Sequence, residues 1–184
     1  FKGKAVLSIV PFVMSRIRFP FLPQVPGLSR LLELNLRTYV IKDGRPAVYF
    51  FTLDSNHLPG VLIARWFFAL PYRWMKLQFH QNEHYHFSSP QFALTAKIGQ
   101  PRVQTEFDRW ATERYALLTQ RGSTPLVGVV EHAPWQLYNL EIITLVDQFS
   151  NLLGEELKAQ KFTAMAYSPR LDVRFRPMKA LTKQ

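Results

Sequence analysis

The sequence predicts an α+β fold built on a mostly antiparallel sheet, and three observations carry that prediction. First, Glu33-Leu34-Asn35-Leu36-Arg37-Thr38-Tyr39-Val40 alternates polar with apolar residues, the period of a strand whose side chains point to opposite faces by turns. Second, Asp43-Gly44 supplies the positive φ angles of a tight hairpin. It leads into residues 47–53 (AVYFFTL), apolar at nearly every position and so covered on both faces. Third, strand-like runs recur as neighbours joined by short turns, with helix-like stretches set between them, the pattern of an α+β protein.

Taken in order, residues 5–14 (AVLSIVPFVM) read as a strand, with Pro11 marking an edge or a bulge. Residues 16–27 hold three prolines and two Phe, which excludes a helix interior and predicts a loop pinned by its apolar side chains. Residues 30–41 and 46–53 form the first hairpin. Asp54-Ser55-Asn56 are N-cap candidates and Pro59 suits a first helical turn. The helix over residues 58–69 stops before Pro71. Its all-round apolar character predicts burial, with Arg65 in its midst. Residues 74–80 and 83–89 read as a second hairpin and 91–98 as a further strand. Thr105 with Asp108 resembles a capping box, opening a helix over residues 106–120. Phe107, Trp110, Ala111, Tyr115 and Leu118 would share its apolar stripe, with Gly122 as C-cap. Residues 126–132 read as a strand. Residues 138–146 (YNLEIITLV) also read as strand, although their spacing leaves a helix open. A short helix over 151–159 and an alternating strand over 171–175 close the chain. No repeat, low-complexity run or linker divides it, so the expectation is a single domain over residues 1–184. The missing initiator Met and an opening that begins within a strand point to an absent leading segment.

Composition narrows the function classes. Of 184 residues 47% are hydrophobic and 20% charged, and 15 Phe, 7 Tyr and 4 Trp suit a sheet-rich interior or an apolar cavity. Absence of cysteine excludes disulfides, thiolate metal ligands and thiol nucleophiles, and is compatible with a cytoplasmic location. The longest apolar window, residues 61–70, is too short to span a membrane and contains Arg65. A net charge of +10 invites an acidic partner such as nucleic acid. The basic residues are scattered, however, which favours a solubility role. Arg170, Arg174, Arg176 and Lys179 are the residues that would meet phosphates, and a solvated edge strand explains them equally.

Three constellations bear on chemistry. The polar face of the first hairpin carries Glu33, Asn35, Arg37 and Tyr39 on one row. Since the partner strand is apolar on both faces, that row is expected to look into protein, where such groups are paired internally or await a ligand. His80, His84 and His86 could approach a divalent ion, though exposed hairpin polars account for them without one, and no metal or cofactor is expected. His132, at a strand end just before Trp135, could act as an acid or base or simply satisfy the backbone. No nucleophile elbow and no glycine-rich phosphate loop is present.

ELNLRTYV at residues 33–40, AVYFFTLD at 47–54 and ARWFFALPY at 64–72 together resemble the YqjF-like bacterial family, a domain of unknown function. TERY at 112–115 and EHAPW at 131–135 extend the likeness over most of the chain. The resemblance implies the acetoacetate decarboxylase-like superfamily, and so a cone-shaped, mostly antiparallel sheet or barrel around an interior cavity with two main helices. In the decarboxylases a Gly-Arg-Glu motif, followed shortly by Pro-Lys-Lys, supplies the Schiff-base lysine. Here Arg65 falls at the arginine and Pro71 at the proline, while Tyr72 and Arg73 stand where the lysines would be, and Lys76 lies further on. Neither a phenol nor a guanidinium forms an imine, so the resemblance implies the cavity without that chemistry. Glu33 resembles an acidic residue on a cavity-lining strand.

The resulting expectation is a cavity protein for a small, carboxylate-bearing organic ligand. If it is an enzyme, Glu33, Arg37 and Tyr72 would be catalytic in a cofactor-independent lyase, isomerase or hydratase. Asn35, Tyr39, Arg65, Arg73, His132 and Trp135 would contact the ligand. The alternative is a basic, non-enzymatic module for nucleic acid or another acidic partner. Self-association into a homo-oligomer is left open.

Overall fold

A computed structural model describes residues 1–15, 30–149, 162 and 164–181. Within them, two helices and a mostly antiparallel, curled sheet form a half-barrel. The expected loop at 16–27 and short helix at 151–159 lie outside the described residues.

Strand β1 (Leu7–Ser15) pairs antiparallel with β2 (Arg30–Lys42), which pairs with β3 (Arg45–Ser55). β1 ends the strand order, so Pro11 costs no ladder bond on a further neighbour. The β2–β3 turn is made by Asp43 and Gly44, both at positive φ (51° and 73°), as a hairpin twisted with its strands requires. The β2–β3 register slips between Leu36↔Thr52 and Arg37↔Phe50, leaving Phe51 as an extra residue that bends β3.

Helix α1 (Leu58–Phe68) follows, and the residue that caps it is His57, whose Nδ1 accepts from Gly60 N at 3.0 Å. The expected caps are used elsewhere. Asp54 holds Arg73, and Asn56 Oδ1 accepts from Leu32 N at 2.8 Å. Ala69 turns left-handed (φ 51°) and ends the helix. Arg121 Nη2 donates to the Trp66 carbonyl at 2.9 Å, setting a cation against the negative end of the helix dipole. The expectation of a buried α1 with Arg65 enclosed is overturned. Only Val61 is buried, Leu58, Leu62, Trp66 and Phe67 are all exposed, and Arg65 is exposed with them. An all-apolar helix carries no information on which face is covered, and the strands that pack against it, β3 and β4, bury Val61 alone.

After Pro71 the chain returns as β4 (Tyr72–Trp74), parallel to β3, so the expected strand over 74–80 is split in two. β5 (Gln78–Gln81), β6 (Tyr85–Ser89), β7 (Phe92–Arg102) and β10 (Leu137–Asp147) form a separate antiparallel sheet in the order β10-β7-β6-β5. Residues 138–146 are thus strand, not helix. The Thr105–Asp108 capping box opens α2 (Glu106–Thr112), with Thr105 Oγ1 accepting from Asp108 N at 3.1 Å. α2 ends eight residues before the predicted stop. Residues 116–121 instead form β8 (Ala116–Arg121), parallel to β3 and antiparallel to β9 (Thr124–His132). Two waiting strand partners outweigh the weak helical spacing there, and Gly122 (φ 59°) makes the β8–β9 turn. β11 (Val173–Phe175) and β12 (Lys179–Ala180) both pair with β9.

The core joins the two sheets. Leu32, Leu34 and Leu36 of β2 pack with Phe87, Phe92 and Leu94 of β6 and β7 and with Phe149. Burying each such side chain is worth roughly 1.5–3 kcal/mol. This packing dictates which face of β2 meets the second sheet, and the row of Glu33, Asn35, Arg37 and Tyr39 is left to face the other way.

Candidate functional site

That polar row is enclosed. Glu33 is 2% exposed and Asn35 3%, with Arg37 and Tyr39 half-buried. Tyr72 reaches the same place through β4. Its parallel pairing sets Tyr72 beside Leu53 and Arg73 beside Asp54, and alternation then sends the two side chains to opposite faces. Tyr72 OH donates to Glu33 Oε2 at 2.7 Å. Arg73 goes the other way and binds Asp54 through two bonds of 2.7 and 2.8 Å.

Burial dominates the electrostatics of Glu33 and pushes its carboxyl up from 4.5 to about 7. Hydrogen bonds from Tyr72 and Asn35 and the positive charge of Arg37 oppose that rise without cancelling it, and Asp54 adds to it. Burial and the Glu33 charge hold the Tyr72 phenol well above its ordinary range, so Tyr72 stays a neutral donor. A carboxyl poised near neutrality beside such a donor can give or take a proton at physiological pH.

Beyond Glu33 stands a group of cations and aromatic rings. The Arg37 guanidinium lies 5.7 Å from the Tyr39 ring centre and 6.0 Å from that of Trp135. Arg114 lies 5.6 Å from Tyr39 and 4.6 Å from Trp110. Tyr39 OH is 2.7 Å from Ser8 Oγ, which ties the ring to β1. Arg37 Nε, Arg114 Nε, Trp135 Nε1 and Asn35 Oδ1 are buried with no hydrogen-bond partner among the described residues. Such atoms are uncommon in a finished interior. Burial lowers the pKa of Arg114, and Tyr39 partly offsets this.

Glu33, Asn35, Arg37, Tyr39, Tyr72, His132 and Trp135 line one broad cavity of about 2850 Å³, together with Arg114. This is far more space than one small ligand fills, so the linked polar groups around Glu33 define the candidate site within it. Arg65 and Arg73, expected as ligand contacts, line none of it. Arg65 lies on the exposed side of α1, and Arg73 is committed to Asp54. His132 Nδ1 is 2.8 Å from the Ala133 carbonyl and its Nε2 3.4 Å from that of Arg114, so backbone acceptors face both ring nitrogens.

Sequence reasoning missed Arg114 and Trp110. The sequence reading carries both on a helix over residues 106–120, Trp110 on its apolar stripe and Arg114 with no role, whereas the helix ends at Thr112. The signal was present in TERY at 112–115. Elsewhere, His80 stacks on His86 at 4.4 Å with His84 at 6.2 Å, but among the described residues no three His, Asp or Glu side chains form a metal-holding group. Of the C-terminal cations, Arg170 pairs with Asp172 and Arg176 Nε with Glu131 Oε1 at 2.6 Å, which leaves less charge for a phosphate backbone. Among the described residues no helix is long and apolar enough to cross a membrane.

A half-barrel of this topology is an acetoacetate decarboxylase-like fold. Two solved structures of the enduracididine biosynthesis enzyme MppR match it, one with HEPES buffer bound and one complexed with pyruvate. Their TM-scores are 0.52 and 0.51, each at 11% identity over 85% of this chain. The chain spans 66% and 68% of the length of those chains. At the sequence level, residues 1–172 match the family DUF2071, "Uncharacterized conserved protein (COG2071)". "Uncharacterized protein YqjF" of Bacillus subtilis (strain 168) is 33% identical over 190 residues, covering 97% of this chain and 78% of YqjF. The chain belongs to this DUF2071, YqjF-type family.

Proposed function

We propose that this protein binds a small, carboxylate-bearing organic molecule in the cavity beside β2. Arg37 holds the carboxylate, while Glu33 and Tyr72 orient the neighbouring group and exchange a proton with it. The observation that carries this reading is the buried pair of Glu33 and Tyr72, 2.7 Å apart, beside an Arg37 whose Nε has no partner among the described residues. An Arg head of this kind is suited to a planar carboxylate. MppR, which shares the fold, has a structure complexed with pyruvate, itself a small carboxylic acid, and this supports the ligand class. Turnover at such a pair would be proton transfer, the chemistry of a lyase, isomerase or hydratase. Tyr72 and Arg73 leave no amine at the positions where the decarboxylases carry lysine, so the reaction would run without a Schiff base.

Titration of the protein with pyruvate and with butyrate, followed by calorimetry, tests this. At least one acid should bind, and Arg37→Ala should weaken it by about tenfold or more, the worth of one charge-assisted contact. Equal affinity in the wild type and Arg37→Ala would refute the assignment.

A further inference from the structure

The half-buried arginines among the described residues, Arg37, Arg73, Arg102 and Arg114, fall into two groups. Arg73 and Arg102 are neutralised by Asp54 at 2.7 Å and Asp108 at 2.6 Å, both carboxylates buried. Arg37 and Arg114 form no ion pair among the described residues. These two unpaired cations rest against the same Tyr39 ring, at 5.7 and 5.6 Å. Each also has an aromatic wall of its own, Trp135 for Arg37 and Trp110 for Arg114. Tyr39 therefore meets two separate cationic positions, each with a buried Nε that lacks an acceptor among the described residues.

Two cations held near one ring, neither in an ion pair among the described residues and with the nearby Glu33 carboxyl held largely neutral by burial, incur both desolvation and mutual repulsion. A bound molecule with an acidic group at each position removes both costs. We infer that the ligand is a compact organic dianion, such as a short dicarboxylate, with one acidic group on Arg37 and the other on Arg114. This rests on the carboxylate-binding reading above and adds the second acidic group and the residue that selects for it. Trp110 and Tyr39 hold the Arg114 head by cation–π contact. The two guanidinium carbons can be no farther apart than their distances to the shared ring allow, so a long diacid is not required.

The experiment compares succinate and glutarate with butyrate and pyruvate by calorimetry, on wild type, Arg114→Gln and Arg114→Lys. The diacids should bind about tenfold or more tighter than butyrate to wild type. Arg114→Gln should weaken the diacids about tenfold or more and butyrate clearly less, so that the advantage of the diacids is lost. Arg114→Lys, which keeps the charge but loses the planar fork, should retain part of it, and it decides the matter should the Gln variant fail to fold. Equal binding of mono- and diacids to wild type, or equal weakening of both by either Arg114 variant, overturns the dianion and leaves the Arg37 carboxylate site standing. No binding of any acid to wild type overturns both.

Discussion

Replacing Glu33 by Gln should change how stability depends on pH, and the structure supplies both sign and size. Burial favours the neutral carboxyl, so folding raises the Glu33 pKa from 4.5 to about 7. Below pH 4.5 the group is protonated in folded and unfolded chains alike and contributes no difference. Between 4.5 and about 7 the unfolded chain gives up the proton while the folded one keeps it, so stability falls as pH rises. Above about 7 the loss is complete. At 1.36 kcal/mol per pKa unit it amounts to roughly 3 kcal/mol. Gln keeps the shape and an acceptor for Tyr72 but cannot ionise, so the variant lacks this slope. The assay is urea denaturation of wild type and Glu33→Gln at a series of pH values from 4.5 to 8.5. Other titrating groups are common to both proteins and cancel in the difference. The stability of wild type relative to the variant should drop by about 3 kcal/mol across that range, with its midpoint between the two pKa values. A difference that stays constant with pH would refute the claim that Glu33 is buried as an acid poised near neutrality.

Tyr72→Phe removes a hydrogen bond that favours the ionised form of Glu33, so the Glu33 titration, followed by carboxyl infrared absorption, should move to higher pH; movement downward would refute the assigned bond. Arg73→Ala leaves the Asp54 carboxylate buried without its cation. The cost in chemical denaturation should be about 2–3 kcal/mol, less than for a fully buried pair because the Arg73 side chain is 36% exposed, and adding Asp54→Asn should recover part of it. Leu36→Ala opens a hole in the fully buried contact between the sheets and should cost about 2–5 kcal/mol by the same measurement. Thr105→Ala deletes the capping box of α2 and should cost about 1 kcal/mol.

Local pattern sufficed wherever a neighbour in sequence was also the neighbour in space. The alternation of residues 33–40, the Asp43-Gly44 turn and the Thr105–Asp108 box are short-range features, and each appears where the residues place it. The inward direction of Glu33 and Asn35 followed from one further step, since a partner strand apolar on both faces cannot leave them in water. Three matters needed the tertiary structure. The covered side of α1 was undetermined because its sequence is apolar all round, and Arg65 came to lie outside. The end of α2 was decided by β3, a strand far back in the chain, which with the hairpin partner β9 captured residues 116–121 and in doing so brought Arg114 to Tyr39. The separation of Tyr72 from Arg73 depended on β4 pairing with β3, which turns adjacent side chains to opposite faces. Residue chemistry thus supplied the ingredients of the site, and long-range strand pairing selected which of them meet, because that choice depends on partners far along the chain.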